Sequence, residues 1–324
     1  MTRASQRAAT LIAPLTMRMQ DVQLPQPGPD EVRVRLQGCG ICASSLSLWE
    51  GRPWFEYPRP AGAPGHEGWG TIDATGSNVT DLAVGERVAF VSGNAYAEFD
   101  IAARRAVVRL PGDLASLPFP GEPLGCAMNI FARSDVRAGD TVAVVGAGFL
   151  GVLLTQLAAK AGANVVVISR RKYGLRQAEL SGATQIVQAD VPSSAIECAL
   201  QLAGGHGYDR VIETGGLQST LDLASAITAE YGRLIIAGYH QDGLRTVDMQ
   251  QWNWRALDVV NAHERSIDRY ATGIERAIAA VLDGRLDPFP LLTHEVTLDS
   301  LGSGFALASA RPDGFMKAWV RVAA

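Results

Sequence analysis

The chain has 324 residues, of which 47% are hydrophobic and 19% charged, and its formal net charge is −4. That length suits two domains of roughly 100–200 residues each, and the composition excludes disordered, collagen-like and coiled-coil classes. A mildly acidic chain has no overall attraction for nucleic acid or anionic lipid, so neither is predicted as a partner. The four cysteines of so long a chain do not constitute a disulfide framework.

Targeting signals are not predicted. Residues 1–20 mix Arg3, Arg7 and Arg18 with polar residues and contain no continuous apolar segment, which argues against a secretory signal. No stretch reaches the roughly 18 consecutive apolar residues of a membrane span. We therefore expect a cytoplasmic protein with reduced thiols and no membrane partner.

The first third of the chain is predicted to be β-structure. Polar and apolar residues alternate over Glu31–Leu36, which is the period of a half-buried strand. Short strands between closely spaced turns predict a compact, antiparallel, barrel-like unit. A Pro- and Gly-rich junction at 118–123 ends this part of the chain. The preceding turns are rich in glycine and proline and lie at 25–29, 58–65, 76–78 and 111–112.

The pattern changes at Asp140, where apolar runs begin to alternate with predicted helices. Fully apolar strands between helices are typical of a parallel sheet covered on both faces. A later helix is predicted over 274–282, and a last strand over 317–322. The apolar runs lie at 141–145, 164–168, 210–212 and 233–237, and the first predicted helix covers 150–161.

The first apolar run leads into a G-x-G-x-x-G motif between a predicted strand and a predicted helix. Gly146 permits a tight turn, Gly148 lets a pyrophosphate approach the backbone, and Gly151 lets the helix pack on the strand. Phe149 and Leu150 open the helix, whose N-terminal N–H groups favour phosphate. These residues are therefore predicted to bind a dinucleotide.

The second apolar run ends in Ser169, Arg170 and Arg171, where an NAD-selective site has Asp or Glu. A small polar residue followed by cations suits the 2′-phosphate of NADP. A solvated basic loop is the alternative. The sequence therefore predicts a preference for NADP(H) over NAD(H).

Candidate metal ligands lie in the N-terminal half. Cys42, His66 and Glu122 offer a thiolate, an imidazole and a carboxylate, and Cys126 offers a second thiolate in place of Glu122. Three protein ligands with an open fourth position are typical of catalytic zinc sites. Cys39 and Cys42 also form a C-x-x-C pair, but the sequence has no second pair to complete a four-sulfur site.

These motifs resemble those of the medium-chain dehydrogenase/reductase superfamily, specifically its zinc-dependent alcohol and polyol dehydrogenases. The resemblance implies an α/β chain with a GroES-like β-barrel catalytic domain at 1–123 and 263–324. It also implies a Rossmann domain, with a doubly wound parallel sheet, at 124–262. Besides the glycine loop, the resemblance rests on Gly40-Ile41-Cys42, Gly65-His66-Glu67, Gly85-Glu86-Arg87-Val88, Glu122-Pro123-Leu124 and Ala138-Gly139-Asp140.

The resemblance also implies roles for single residues. Sorbitol-dehydrogenase-like members carry Glu-Pro-Leu at the third ligand position, which favours Glu122 over Cys126. Ser44 would take the alcohol proton, Glu67 would be an acid beside the metal ligands, and Lys317 would face the cofactor phosphates. The alternatives are a turn or helix-cap serine, a surface carboxylate and a strand-edge lysine.

The chain departs from the family pattern at three points. The cysteines of the structural-zinc lobe are absent, since 88–93 run straight on to 96–99, so one zinc per chain is implied. Ser45 stands where the family usually has an Asp that supports the metal site. The acidic NAD-selecting residue is also missing.

The predicted activity is therefore hydride transfer between NADP(H) and an alcohol or polyol, or the matching carbonyl, with one catalytic zinc. Two alternatives remain open: a zinc-free reductase of activated double bonds, and a non-catalytic NADP(H)-binding protein. Because the family commonly forms dimers and tetramers, we expect a homodimer or homotetramer.

Overall fold

The computed structural model describes residues 4–114 and 116–322. The strands are β1 (Ser5–Ala13), β2 (Thr16–Gln23), β3 (Glu31–Gly40), β4 (Gly68–Thr75), β5 (Arg87–Phe90), β6 (Phe99–Ala103), β7 (Val107–Arg109), β8 (Thr141–Val145), β9 (Asn164–Ser169), β10 (Gln185–Gln188), β11 (Tyr208–Glu213), β12 (Thr228–Ile236), β13 (Asp258–Asn261), β14 (His294–Thr297) and β15 (Ala318–Arg321).

The α-helices are α1 (Leu46–Trp49), α2 (Gly121–Ser134), α3 (Phe149–Lys160), α4 (Lys172–Leu180), α5 (Pro192–Leu202), α6 (Gln218–Ile227), α7 (Met249–Trp254), α8 (Ile267–Leu282) and α9 (Leu301–Ala310). Short 3₁₀ helices lie at Ala43–Ser45, Arg104–Ala106, Gly112–Leu114, Phe289–Leu291 and Leu298–Ser300. Among the described residues, no helix combines the length and the apolar character that crossing a membrane requires.

One compact unit contains the residues up to Gly125, together with Arg265–Ala279 and the chain from Phe289 onward. Its main sheet has the strand order β14-β15-β3-β4-β5-β7, and β6 also pairs with β3. The neighbours along this path are antiparallel except β14 and β15. Because β15 pairs with β3, the C-terminal strand lies beside the strand that leads to Cys42.

The alternation predicted at the start of β3 is observed. Val32, Val34 and Leu36 are at most 1% exposed, whereas the residues between them are half-buried or exposed. Successive side chains of a strand point to opposite faces, so this strand buries one face in the core of the unit.

The other compact unit contains Cys126–Glu264 and Ala280–Pro288. Its strands are parallel and have the order β10-β9-β8-β11-β12-β13. The order reverses between β8 and β11, which divides the sheet into two halves of three strands each. This is the doubly wound Rossmann arrangement, in which a dinucleotide binds at the carboxyl ends of the strands, across the point of reversal.

The predicted parallel-sheet strands are all present. The runs at 141–145 and 164–168 are β8 and β9, and those at 210–212 and 233–237 lie in or overlap β11 and β12. The sequence prediction assigned all of 263–324 to the barrel domain, whereas the structure groups Ala280–Pro288 with the parallel sheet. One reason is that the Gln156 side chain exchanges hydrogen bonds with the backbone of Asp287.

Candidate functional site

The candidate metal centre lies where β3 ends and β4 begins. Cys42 follows β3 and precedes the 3₁₀ turn Ala43–Ser45, and its carbonyl accepts the Ser45 N–H at 3.1 Å. His66 and Glu67 immediately precede β4. The two strands are antiparallel neighbours, which brings the end of one beside the start of the other.

The ligand atoms of Cys42, His66 and Glu67 all lie within 4.8 Å of one another. His66 Nδ1 is 2.9 Å from the Pro64 carbonyl oxygen, which can only accept, so Nδ1 carries the hydrogen. That bond leaves Nε2 for a metal. A histidine that binds a metal through one ring nitrogen usually donates a hydrogen bond from the other, as Nδ1 does here. The Ser44 hydroxyl donates to Cys42 Sγ at 3.1 Å. The described residues therefore contain a thiol, an imidazole and a carboxylate that suit zinc.

Glu122 lies in the first turn of α2 and is 8% exposed. A Cβ at Gly121 would lie 3.1 Å from the Ile274 side chain, and one at Gly125 would lie 2.9 Å from the Ile274 backbone nitrogen. The absence of side chains at both glycines therefore lets the start of α2 pack closely on α8. Cys126, the alternative third ligand, follows one turn later and is half-buried. The group of three close ligand atoms contains Glu67 and neither Glu122 nor Cys126, so the third-ligand prediction stays a prediction.

The electrostatics of the centre favour positive charge. Burial lowers the pKa of His66, but the charge of Cys42, a hydrogen bond to it and the charges of Glu122 and Glu67 outweigh burial and raise the pKa to about 10. The Lys317 ammonium lies 2.8 Å from Glu67 Oε2 and offsets part of this negative charge.

Glu67 and Lys317 form a buried ion pair. The ammonium lies 2.9 Å from Oε1 and 2.8 Å from Oε2, and it also donates to the Ile41 carbonyl at 3.3 Å. The two residues are 0% and 5% exposed, so the alternative of a surface carboxylate for Glu67 is wrong. Gly40 makes room for the pair, because a Cβ there would lie 1.8 Å from Glu67 Oε2. Contact between Lys317 and cofactor phosphates stays a prediction.

The glycine loop has the geometry that its motif predicts. Gly146 has φ +113°, and a Cβ at Gly151 would lie 1.9 Å from the Gly146 carbonyl oxygen. Gly148 precedes the first residue of α3, and a Cβ there would meet nothing within 4 Å. The first helical hydrogen bond runs from Val152 N–H to the Gly148 carbonyl at 2.9 Å, so the N–H groups of Phe149 and the next two residues lie ahead of it. The loop is thus shaped to accept a pyrophosphate.

The residues predicted to select the cofactor lie at the carboxyl end of β9. Ser169 ends the strand, and its hydroxyl accepts the Arg171 N–H at 3.2 Å. Arg171 immediately precedes α4, and Arg170 lies in the turn between them. Since β9 is the neighbour of β8, this turn lies beside the glycine loop at the same edge of the sheet.

Two family models match the chain. A zinc-binding dehydrogenase model matches residues 150–279, and an alcohol dehydrogenase GroES-like domain model matches residues 28–113. The chain belongs to the zinc-type medium-chain dehydrogenase/reductase superfamily. Its predicted fold, a GroES-like barrel plus a Rossmann domain, is therefore confirmed, and its activity class is that of an NAD(P)-dependent alcohol dehydrogenase.

The relatives of this superfamily member include dehydrogenases of different substrates. A sorbitol dehydrogenase of Arabidopsis thaliana is 29% identical, over 89% of this chain and 87% of its own. An L-threonine 3-dehydrogenase of Bacillus velezensis is 25% identical, over 89% and 91%. A Sinorhizobium meliloti 1021 protein assigned as a zinc-binding dehydrogenase was crystallised bound to NADP. It is 26% identical, with a TM-score of 0.83 over 98% of this chain and 100% of its own.

Sequence reasoning missed the pairing of Glu67 with Lys317. The two residues are 250 positions apart, and no local pattern connects them. The available signal was Gly40, because a glycine that ends a strand beside a candidate ligand marks a close approach of other groups.

We predict that Cys126→Ser retains about one zinc per chain, whereas Glu122→Ala loses it, because the carboxylate completes the ligand set. Cys42→Ala serves as the positive control for zinc loss, and metal content is measured by elemental analysis of the purified chains. The zinc content of Glu67→Gln is measured alongside, because Glu67 is the carboxylate whose oxygen lies close to Cys42 and His66. Zinc loss in Cys126→Ser with retention in Glu122→Ala would contradict the assignment.

We also predict that Lys317→Met lowers the free energy of unfolding by roughly 3–5 kcal/mol, because it leaves a buried carboxylate without its cation. Urea denaturation in the presence of a chelator measures this. Arg321→Met, at the end of the strand that Lys317 precedes, is the matched control, since it removes an exposed pair with Glu295 that contributes about 1 kcal/mol or less. The double variant Glu67→Gln/Lys317→Met should recover most of the loss, and an equal loss in all three variants would refute the buried-charge explanation.

Proposed function

We propose that this chain is a zinc-dependent oxidoreductase that transfers a hydride between NADP(H) and an alcohol or polyol, or the matching carbonyl. The observation that carries the proposal is the close approach of the Cys42 thiol and the His66 imidazole, whose ligand atoms lie within 4.8 Å, together with the charge of Glu122, which acts on His66. The sorbitol dehydrogenase relative supports a polyhydric alcohol as substrate, and the NADP-bound relative supports the cofactor.

We propose Cys42, His66 and Glu122 as the ligands of one zinc, with the fourth position open to substrate. Glu67 is the weaker candidate, because both of its oxygens already contact the Lys317 ammonium. A zinc ion at this position supplies Lewis acidity, which favours loss of the alcohol proton or polarises the carbonyl.

Side chains and backbone groups of this chain would accept the alcohol proton and orient the metal ligands. The Ser44 hydroxyl, held 3.1 Å from Cys42 Sγ, lies beside the ligand set. It would accept the alcohol proton while it passes its own proton on to solvent. The Pro64 carbonyl orients His66, and the Lys317 ammonium fixes Glu67 beside the ligands. These contacts hold the donor atoms in place before substrate binds.

We propose that the glycine loop binds the cofactor pyrophosphate, through Gly146, Gly148, Phe149, Leu150 and Gly151. Ser169 and Arg170 would bind the 2′-phosphate, with Arg171 as the second cation. The first compact unit would be the catalytic domain and the second the nucleotide domain. We further propose that the protein is cytoplasmic and forms a homodimer or homotetramer, as commonly found in the family.

The test of the proposed activity is zinc-dependent turnover. The purified chain should oxidise members of a panel of alcohols and polyols with NADP, lose this activity in a chelator, and regain it with zinc but not magnesium. Cys42→Ala should lose at least about 99% of the activity, since an open catalytic metal site contributes several kcal/mol. Reduction of activated double bonds by the zinc-free chain would instead support the reductase alternative. Binding of NADPH with no turnover of either class would support the non-catalytic one.

We predict that NADPH binds more tightly than NADH, by on the order of ten- to a hundredfold. A charge-assisted hydrogen bond contributes roughly 1.5–3 kcal/mol, and about 1.4 kcal/mol is a tenfold change in affinity. Fluorescence titration with both reduced cofactors measures the ratio. Arg170→Ala should reduce the ratio, and Lys160→Ala, at the far end of α3, is the control. Equal or tighter binding of NADH would refute the preference, and an unchanged ratio in Arg170→Ala would transfer the role to Arg171.

A further inference from the structure

One buried carboxylate joins the loops that follow β11 and β12. Glu213, the last residue of β11, is 0% exposed. Its Oε1 accepts the N–H groups of Gly215 and Gly216, both at 2.7 Å, and the Thr220 hydroxyl at 2.6 Å. Its Oε2 lies 3.1 Å from Nε2 of His240, which lies in the loop after β12. A carboxylate with this many donors fixes the loops around it.

Arg245 completes this network. Its Nε donates to His240 Nδ1 at 2.9 Å, so Nδ1 is the acceptor and the ring hydrogen is on Nε2, facing Glu213. One terminal nitrogen of Arg245 also donates to the Gly216 carbonyl at 2.9 Å and pairs with Asp242. The side chains of His240 and Arg245 are only 14% and 16% exposed. The hydrogen bonds therefore form a closed ring, from Glu213 through His240 and Arg245 back to Gly216 in the turn after β11.

The backbones of the two loops are in close contact. A Cβ at Gly238 would lie 2.3 Å from the Gly216 nitrogen and 2.6 Å from Glu213 Oε2. The Glu213 carbonyl accepts the N–H groups of both Ala237 and Gly238 at 2.8 Å. Gly216 has φ +70°, a conformation that other residues rarely adopt. The two loops thus depend on each other for their shape.

The position of this network in the sheet indicates what it supports. A Rossmann sheet consists of two mononucleotide-binding halves, and the cofactor crosses the point where the strand order reverses. The half from β8 to β10 contains the glycine loop and the Ser169–Arg171 turn, which are suited to pyrophosphate and adenosine. A nicotinamide nucleoside bound in this orientation would lie over the carboxyl ends of β11 and β12. Thr214 connects the halves, because its hydroxyl donates to the Gly146 carbonyl at 3.0 Å.

We infer that Glu213, His240 and Arg245 form a positioning network that shapes the binding surface for the nicotinamide half of the cofactor. This inference rests on the proposed function only in assuming a nicotinamide dinucleotide as ligand. The three residues act through the backbone of 214–216 and 238–240. They set how well the nicotinamide half is held, and they leave the adenosine half unaffected.

The experiment separates the two halves of the cofactor. Isothermal titration measures the binding of NADPH and its adenosine fragment 2′,5′-ADP to His240→Ala and Arg245→Ala. We expect NADPH to bind roughly tenfold more weakly, because each variant loses one or two hydrogen bonds of the network. The affinity for 2′,5′-ADP should change by less than about twofold. His240→Gln, whose amide can donate to Glu213, should recover part of the loss. Arg285→Ala, which removes an exposed pair with Asp283 in the same compact unit, is the control.

The outcomes distinguish this inference from the proposed cofactor preference. Equal weakening of NADPH and 2′,5′-ADP would show a general structural role and overturn the inference, as would unchanged NADPH binding in both variants. If the unmodified chain binds NADH more tightly than NADPH, the preference is wrong, and NADH with 5′-ADP becomes the pair that tests the network. Thermal unfolding of each variant confirms that the compared chains are folded.

Discussion

The buried ion pair between Glu67 and Lys317 is the contact on which the candidate metal centre depends. It joins the start of β4 to the residue before β15, with the strand that leads to Cys42 between them. Burying two charges costs several kcal/mol per ion, and only good geometry and further hydrogen bonds offset that cost. The Lys317 ammonium donates to Oε1 of Glu67 and to the Ile41 carbonyl, and it lies 2.8 Å from Oε2, which accepts no hydrogen bond among the described residues. The pair therefore makes the start of the C-terminal strand part of the site, although the ligand candidates lie in the first 126 residues.

The charges around His66 would favour a divalent cation. Burial lowers the pKa of His66, but the charge of Cys42, a hydrogen bond to it and the charges of Glu122 and Glu67 raise the pKa to about 10. A proton on His66 and a metal on its Nε2 are alternatives, because a ligating histidine must be neutral. The carbonyl of Pro64 holds the ring so that Nε2 is the nitrogen that binds either the proton or the metal. A zinc ion bound at Nε2 would therefore take the place of a proton on His66.

Much of the fold was predictable because it follows from local patterns. The alternation in β3, the apolar runs of β8 and β9, and the glycine loop each depend on residues close together in the sequence. The hairpin of β1 and β2 was not predicted. Met17 and Met19, two residues apart in β2, pack against the core of the first unit, and this spacing was the available signal.

The candidate site was predictable in its residue types and only partly in its contacts. Cys42 and His66 are close together, as their motifs implied, and Gly151 leaves no room for a Cβ beside the Gly146 carbonyl, in keeping with the close helix–strand packing that its motif predicts. The carboxylate beside them was harder to predict, because the chain offers Glu67 and Glu122 and only three-dimensional contacts show that Lys317 engages the first. The network around Glu213 was missed for a related reason. It depends on a histidine 27 residues away in a loop with no periodic pattern.

The most direct test of the central claim is the X-ray absorption spectrum of the zinc-loaded chain, which reports the atoms bound to the metal. A site made of one cysteine, one histidine and one carboxylate should show one sulfur at about 2.3 Å and nitrogen or oxygen neighbours at about 2.0–2.2 Å. The spectrum of Cys42→Ala should lose the sulfur contribution. Two or more sulfur neighbours would contradict the account, since they would place Cys126 or Cys39 at the metal in place of a carboxylate.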